Sequence, residues 1–262
     1  MPIRFTKSHV MGNDCILTEA FTQRVYDPET LAILLTDRTF GIGGESLVTV
    51  SPAEVPESRA QLAVFAADGT DADPAGFTPF CAAKLLFDCK IVSENKLSLA
   101  VKGENLPFGQ ISPNRRGVSL ICGTFARLPV AEVIEANGLV LHPVGNLIVL
   151  RTDESFPEVN GPGEINIAAV ATKVGEIPGM KGVPFLIANI GAERTVRARL
   201  WVPGRGEVRI RLDAIRALTE LFGQEERLTV SMTGGEAKTE ISDGQVTITL
   251  PVTTVFDGTT VV

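Results

Sequence analysis

The densest concentration of chemically capable side chains lies between Arg194 and Arg216. Seven of the chain's 24 basic residues fall there: Arg194, Arg197, Arg199, Arg205, Arg209, Arg211 and Arg216. A guanidinium presents a planar fork that binds a carboxylate or phosphate through two parallel hydrogen bonds. Arg197 and Arg199 fall on one face of a strand, as do Arg209 and Arg211. The cluster therefore reads either as a solvated hairpin face or as a site for an anionic ligand, with Arg211 its most suggestive member. Asp213 follows directly and precedes the apolar run Ala214–Phe222, the position of a helix N-cap. A carboxylate at a helix mouth can also serve as an acid or base, although capping holds it ionised. Asp68, Asp71 and Asp73 form a second acidic group. The cysteines Cys15, Cys81, Cys89 and Cys122 show neither CxxC nor secretory spacing, and each reads as core packing in a reducing cytoplasm. With only His9 and His142, no histidine-rich metal centre is expected, and no cofactor is called for. His142, on an apolar run, reads as a core residue.

These residues need elements to hold them. The 262 residues, 44% hydrophobic and 21% charged, suit one large globular domain or two smaller ones. A net charge of −7 argues against nucleic-acid or anionic-membrane partners. No apolar run reaches the roughly 18–20 residues that span a bilayer, and the first residues lack the apolar core of a signal peptide. Short β-rich runs are expected at Ser46–Val50, Gln61–Ala66, Leu97–Lys102, Val118–Phe125, Gly138–His142 and Asn146–Arg151. Val196–Val202 and Glu207–Leu212 flank Pro203-Gly204-Arg205-Gly206 and read as a hairpin. Arg227–Met232, Thr239–Ile241 and Gln245–Leu250 close the chain. Helices are expected at Tyr26–Leu35, at Pro79–Cys89 with Thr78 as N-cap, and at Ala214–Phe222 with Asp213 as N-cap and Gly223 as stop. The order, strands then a helix and again strands then a helix, predicts an α+β fold of two halves. The boundary falls near 112–120, where Pro113, Asn114 and Gly117 interrupt the pattern.

Three stretches resemble the diaminopimelate epimerase family. F-T-K-S-H-V-M-G-N-D (Phe5–Asp14) is similar to its opening K-M-H-G-L-G-N-D. D-R-T-F-G-I-G-G-E-S-L-V (Asp37–Val48) is similar to its D-R-H-F-G-I-G-A-D-G-L-V. A-A-D-G-T-D-A-D-P-A-G-F (Ala66–Phe77) is similar to its N-A-D-G-S-E-A-E-M-C-G-N. Gly145-Asn146, Ala188-Asn189-Ile190-Gly191 and the tail from Thr233 to Gly258 follow in order. The resemblance implies two pseudo-symmetric halves, each a curved and mostly antiparallel sheet wrapped around a central helix, with an active site in the cleft between them. The halves would be 1–117, completed by the C-terminal strand 252–262, and 118–251. It further implies a cytoplasmic enzyme acting without cofactor or metal on a small-molecule carboxylate. An exposed strand edge in either half offers a surface for a homodimer.

Enzymes of that family move a proton between two thiolates, each at the start of a central helix, where the dipole lowers its pKa. The matching positions here are Ala75 and Arg211, and neither side chain shuttles protons near neutrality. The family's carboxylate-binding asparagine appears as Ala66, the asparagine after its Cys-Gly as Phe77, and its Glu-Arg pair as Val202-Pro203. Asn13, Asn146 and Asn189 remain, and with Gly76, Phe77 and Arg211 they form the implied substrate-binding set. The resemblance extends to the phenazine-biosynthesis isomerase branch of the fold, whose functional glutamate sits in a context like Gly44-Glu45-Ser46. Glu45 and Asp213 are thus the candidate catalytic residues. Two functions stay open: an isomerase, cyclase or lyase acting through carboxylates, and an inactive paralogue that binds a small molecule or protein.

Overall fold

The computed structural model describes residues 2–74, 76–92, 94–112, 117–223 and 227–261. They form two compact units, Met1–Thr124 with Thr249–Val262, and Phe125–Ile248.

The first unit contains β1 (Pro2–Val10), β2 (Asn13–Glu19), α1 (Pro28–Thr36), β3 (Ser46–Pro52), β4 (Ala60–Ala66), α2 (Thr78–Asp88), β5 (Lys96–Val101), β6 (Glu104–Gln110) and most of β7 (Val118–Ala126). The strands are ordered as they occur in sequence. Neighbours pair antiparallel except β2–β3 and β4–β5. A parallel pair needs a crossover, and α1 and α2 are those crossovers. Strands β1 to β6 all lie against α2. A flat sheet of six strands spans roughly 24 Å, more than twice a helix diameter, so the sheet must curve around α2. That explains why Pro79 to Phe87 are buried without interruption. On the other side, Leu31, Ala32 and Leu35 of α1 pack on Ile16, Leu47 and Phe65.

The second unit holds β8 (Ile134–Ala136), β9 (Leu139–Val144), β10 (Leu147–Arg151), α3 (Thr152–Ser155), α4 (Ile167–Gly175), β11 (Phe185–Ile190), β12 (Thr195–Val202), β13 (Gly206–Val208), α5 (Leu212–Phe222), β14 (Leu228–Met232), β15 (Gly235–Ser242) and the start of β16 (Gln245–Val261). Its parallel pairs, β10–β11 and β12–β14, are again bridged by helices. Strands β9 to β12, β14 and β15 lie against α5. Helix α4, capped by Asn166 through Ala169 N at 3.2 Å, packs Ile167, Val170 and Val174 against Leu150 and Ile187.

Several sequence expectations are corrected. Helix α1 starts at Pro28, with Asp27 as its cap through Thr30 N. Thr78 is the first residue of α2 rather than its cap, and its hydroxyl donates to Pro74 O at 3.2 Å. Asp213 lies inside the first turn of α5, whose N-cap is Arg211. The strand expected over Glu207–Leu212 stops at Val208, so Arg209 and Arg211 do not share a strand face. The last strand runs on through Pro251 to Val261 and pairs with β1 from Pro2 to Val10. Cys15 and Cys81 are buried, but Cys89 is exposed and Cys122 half-buried.

Candidate active site

In the first unit, strand register gathers the candidate residues at one end of the sheet. The turn between β1 and β2 is Met11-Gly12, with φ of 52° and 84°. Two positive φ values in a two-residue hairpin are the I′ pattern, which selects glycine. The turn sets Asn13 opposite Val10 and Asp14 opposite His9. Asn13 donates from Nδ2 to Val10 O at 3.1 Å, and His9 Nδ1 accepts from Gly12 N at 3.4 Å. The loop after α1 folds back on that helix. A Cβ at Gly41 would come within 2.2 Å of Leu34 O, so only glycine fits. Gly43 N bonds to Leu35 O and Gly44 N to Thr36 O, and Glu45 N then donates to Asp14 O at 3.2 Å. Ser46 pairs with Ala66, so β4 also ends here.

The direction of α2 follows from its neighbours. Cys81, near its start, lies close enough to Cys15 to push that thiol up. Leu85 and Cys89, near its end, share a cavity with Leu17 and Glu19. Helix and β2 thus run the same way, and the amide end of α2 lies at the end of the sheet that holds Asn13, Asp14 and Glu45. That helix start has no side-chain cap and no acidic residue in its first turn. Phe77 is buried and supplies the carbonyl that accepts Phe80 N and Cys81 N. Gly76 is exposed with open space around its α-carbon. Ala75, the first cysteine position, lies outside the described residues.

Two carboxylates here differ in character. Asp14 binds Arg38 at 3.0 and 3.3 Å and Lys7 at 3.1 Å. Burial pushes its carboxyl up, but the contacts with Arg38 and Lys7 outweigh burial and hold it below the usual range. Asp14 is therefore an ionised structural anchor, and no sequence signal beyond the motif itself pointed to it. Glu45 is exposed, and its charge reaches Cys15, whose thiol is pushed up chiefly by Cys81 and by burial.

The second unit disposes of its candidates differently. Arg211 Nε donates to Asp213 Oδ1 at 3.0 Å and a terminal nitrogen binds Oδ2. Asp213 Oδ1 also accepts Ala214 N at 2.9 Å. The two side chains pair with each other at the start of α5 and each stays about 40% exposed. Most of the other arginines also serve the fold. Arg194 donates to Phe222 O and Gly223 O at 3.0 Å, closing the end of α5. Arg199 binds Glu207 and the carbonyls of Pro162 and Ile165. Arg216 donates to Ala126 O and stacks over Phe125. His142 is mostly covered, its side chain 11% exposed, and its Nε2 is satisfied by Glu154 at 2.5 Å.

Asn146 and Asn189 do not come together. Ile148 pairs with Phe185 in parallel register. Asn146, two residues before Ile148, is therefore level with Val183, and Asn189 lies six residues further along β11, roughly 20 Å away. Asn146 is an exposed turn residue after Gly145, which has φ of 58°. Asn189 keeps a buried Oδ1 with no hydrogen-bond partner among the described residues. The two therefore cannot hold one small substrate jointly.

Among the described residues no three His, Cys, Asp or Glu side chains are grouped as metal ligands, and no helix is long and apolar enough to cross a membrane.

No family model matches the chain. The diaminopimelate epimerase of Methanococcus maripaludis is 26% identical over 276 residues, covering 98% of this chain and 99% of that protein. A crystal structure of a phenazine biosynthesis protein of the PhzF family from Enterococcus faecalis superposes with a TM-score of 0.70 at 13% identity, covering 100% of both chains. A crystal structure of methylitaconate-delta-isomerase gives 0.69 at 13% identity, covering 99% and 95%. Full-length likeness in sequence and in fold agree, and the chain has the fold shared by these diaminopimelate epimerase-like proteins.

Proposed function

We propose that this chain is a cofactor-independent isomerase acting on a small unsaturated carboxylic acid, with Glu45 as the group that moves the proton. The observation that carries this reading is the placement of Glu45. It is an exposed carboxylate tied through its backbone to Asp14, at the end of the sheet where α2 starts. Glu45 takes a proton from the carbon next to the double bond. The electron pair spreads through the double bond onto the substrate carboxylate, and the glutamic acid returns the proton at the far carbon. One bond to hydrogen breaks, one forms, and the double bond shifts. The uncapped start of α2 favours negative charge, and Asn13 and Gly76 lie at that same end. A thiol pair for racemisation is not part of this reading: Arg211 stands at the start of α5, and Cys15 and Cys81 are buried with Cys15 held protonated. A reducing cytoplasm suits the four free thiols.

The alternative is a binding protein without chemistry, favoured by the buried Phe77 and the mutual pairing of Arg211 with Asp213. Solvent deuterium exchange separates the two. The protein is incubated in D₂O with diaminopimelate and with a panel of unsaturated acids. Exchange in an unsaturated acid, lost in Glu45→Gln, is the expected result. Exchange at the α-carbon of diaminopimelate would overturn the isomerase, and no exchange in any compound would leave the binding protein.

A further inference from the structure

The opposite end of α2 opens on a cavity of about 570 Å³ inside the first unit, within the size range of small-molecule sites. Leu17, Leu85, Ile91 and Phe5 supply its apolar walls. Three charged residues complete it: Arg4, Glu19 and Asp257. Two of them are already committed. Glu19 accepts from Phe21 N at 2.8 Å, Thr22 N at 2.9 Å and the Thr22 hydroxyl, and Arg4 bonds to Glu19 at 3.2 Å and to Thr22 at 2.6 Å. Asp257 is different. It is exposed, and the Thr6 hydroxyl holds its Oδ1 at 2.5 Å, which orients the carboxylate while Oδ2 takes no partner among the described residues.

The local field is negative. Helix α2 has no basic residue in its last turn, and its carboxyl end is the negative end of the dipole. Its last carbonyls are closed by backbone amides of Cys89, Lys90 and Ile91 rather than by a cation. Cys89, at the C-cap, reports the same balance: burial first, then the charges of Glu19, Asp257 and Asp88, push its thiol up and outweigh the opposing charge of Arg4. A site with apolar walls, a resident cation already paired with Glu19, and a second carboxylate held only by a hydroxyl fits a ligand that is apolar along its length and positive at one end.

We propose that this cavity binds a small organic cation, a primary amine with a short apolar tail, its ammonium on Asp257 and its tail against Leu17, Leu85 and Ile91. The site lies at the far end of α2 from Glu45 and does not depend on the reading of Glu45.

Cys89 lines the cavity and provides the readout. In a Cys122→Ser background the other two thiols are buried, so iodoacetamide labels Cys89. Hexylamine, hexanol and hexanoate are compared at equal ionic strength. Hexylamine at about ten times its dissociation constant should slow labelling about ten-fold, while hexanol and hexanoate should not. Asp257→Asn should abolish the protection and leave any isomerase activity unchanged. Glu45→Gln should leave the protection intact. Equal protection by hexanol or hexanoate, protection that survives Asp257→Asn, or none from hexylamine would each overturn the proposal.

Discussion

Helices α2 and α5 are each eleven residues long and each lies within the curve of its own sheet, yet their first turns are built differently. Helix α5 brings its own anion: Asp213 accepts Ala214 N and is bound in turn by Arg211. Helix α2 brings none, and no side chain caps it. The free amides of a helix start attract negative charge. At α5 that demand is met within the chain. At α2 Pro79 has no N–H, and Phe80 N and Cys81 N both turn to Phe77 O, so that first turn is closed by backbone rather than by a carboxylate, at the end where Glu45 is exposed. One helix start carries its own carboxylate and the other carries none, and the proposed chemistry belongs to the second, in the first unit.

The strongest way to break this contrast is to exchange the carboxylates in turn. Glu45→Gln keeps the size and hydrogen-bonding capacity of the side chain and removes its basicity. If Glu45 moves the proton, exchange into an unsaturated acid should fall by about 10²–10⁴-fold. Asp213→Asn should change it less than about three-fold, within the scatter expected of a residue outside the reacting atoms. The reverse order, measured by mass spectrometry of the exchanged acid, would move the active end to α5.

A second contrast concerns the charge each helix buries. Lys84 of α2 is almost fully buried, bound to Asp88 and, at 2.8 Å, to the Thr254 hydroxyl on the returning C-terminal strand. Glu220 of α5 has no side-chain exposure and accepts Arg127 Nε at 2.7 Å and Leu128 N at 2.9 Å, where the chain enters the second unit. Each buried charge pins a segment to its helix. Glu220→Ala strands the Leu128 amide and leaves a cavity, a loss of about 3 kcal/mol. Lys84→Met fills the same space with an apolar chain and leaves Asp88, which reaches water, so about 1–2 kcal/mol is expected. Urea unfolding of both variants checks the order.

The central helices were legible because strong local signals marked them: Pro79 at the start of one and Gly223 at the end of the other. Helix α4 carried a readable signal too, Asn166 followed by apolar residues at 167, 170 and 174, but its flanking glycines and prolines masked it. Strands β1 and β2 were legible only as a motif, because Arg4, Lys7, Asn13 and Asp14 break any apolar alternation. The last strand passes straight through Pro251, where local rules expect a stop. The candidate site was harder, because it depends on register. Asn146 and Asn189 looked like two parts of one binding set, and only the parallel pairing of Ile148 with Phe185 separates them. Asp213 read as a cap because sequence places it before an apolar run, whereas the helix begins one residue earlier, at Leu212. The partnership of Asp14 with Lys7 and Arg38 spans segments that sequence distance keeps apart.

The smallest effect sharpens the contrast between the two carboxylates of the first unit. Asp14 is held below the ordinary carboxyl range in the folded chain, and in the unfolded chain it titrates near pH 4. A lowered folded value means that its contribution is present above the unfolded value and is lost as pH falls through the folded one. With Arg38 largely exposed and Lys7 mostly covered, the contribution is about 1 kcal/mol. Asp14→Asn should therefore cost about 1 kcal/mol at pH 7, and the difference from the parent should shrink toward zero between about pH 5 and pH 2. Glu45→Gln, an exposed residue with a catalytic assignment, should show a stability change near zero across the same range. Equal acid dependence of the two variants in urea unfolding would mean that Glu45 belongs to the same ion-paired anchor as Asp14, and that neither is the proton carrier.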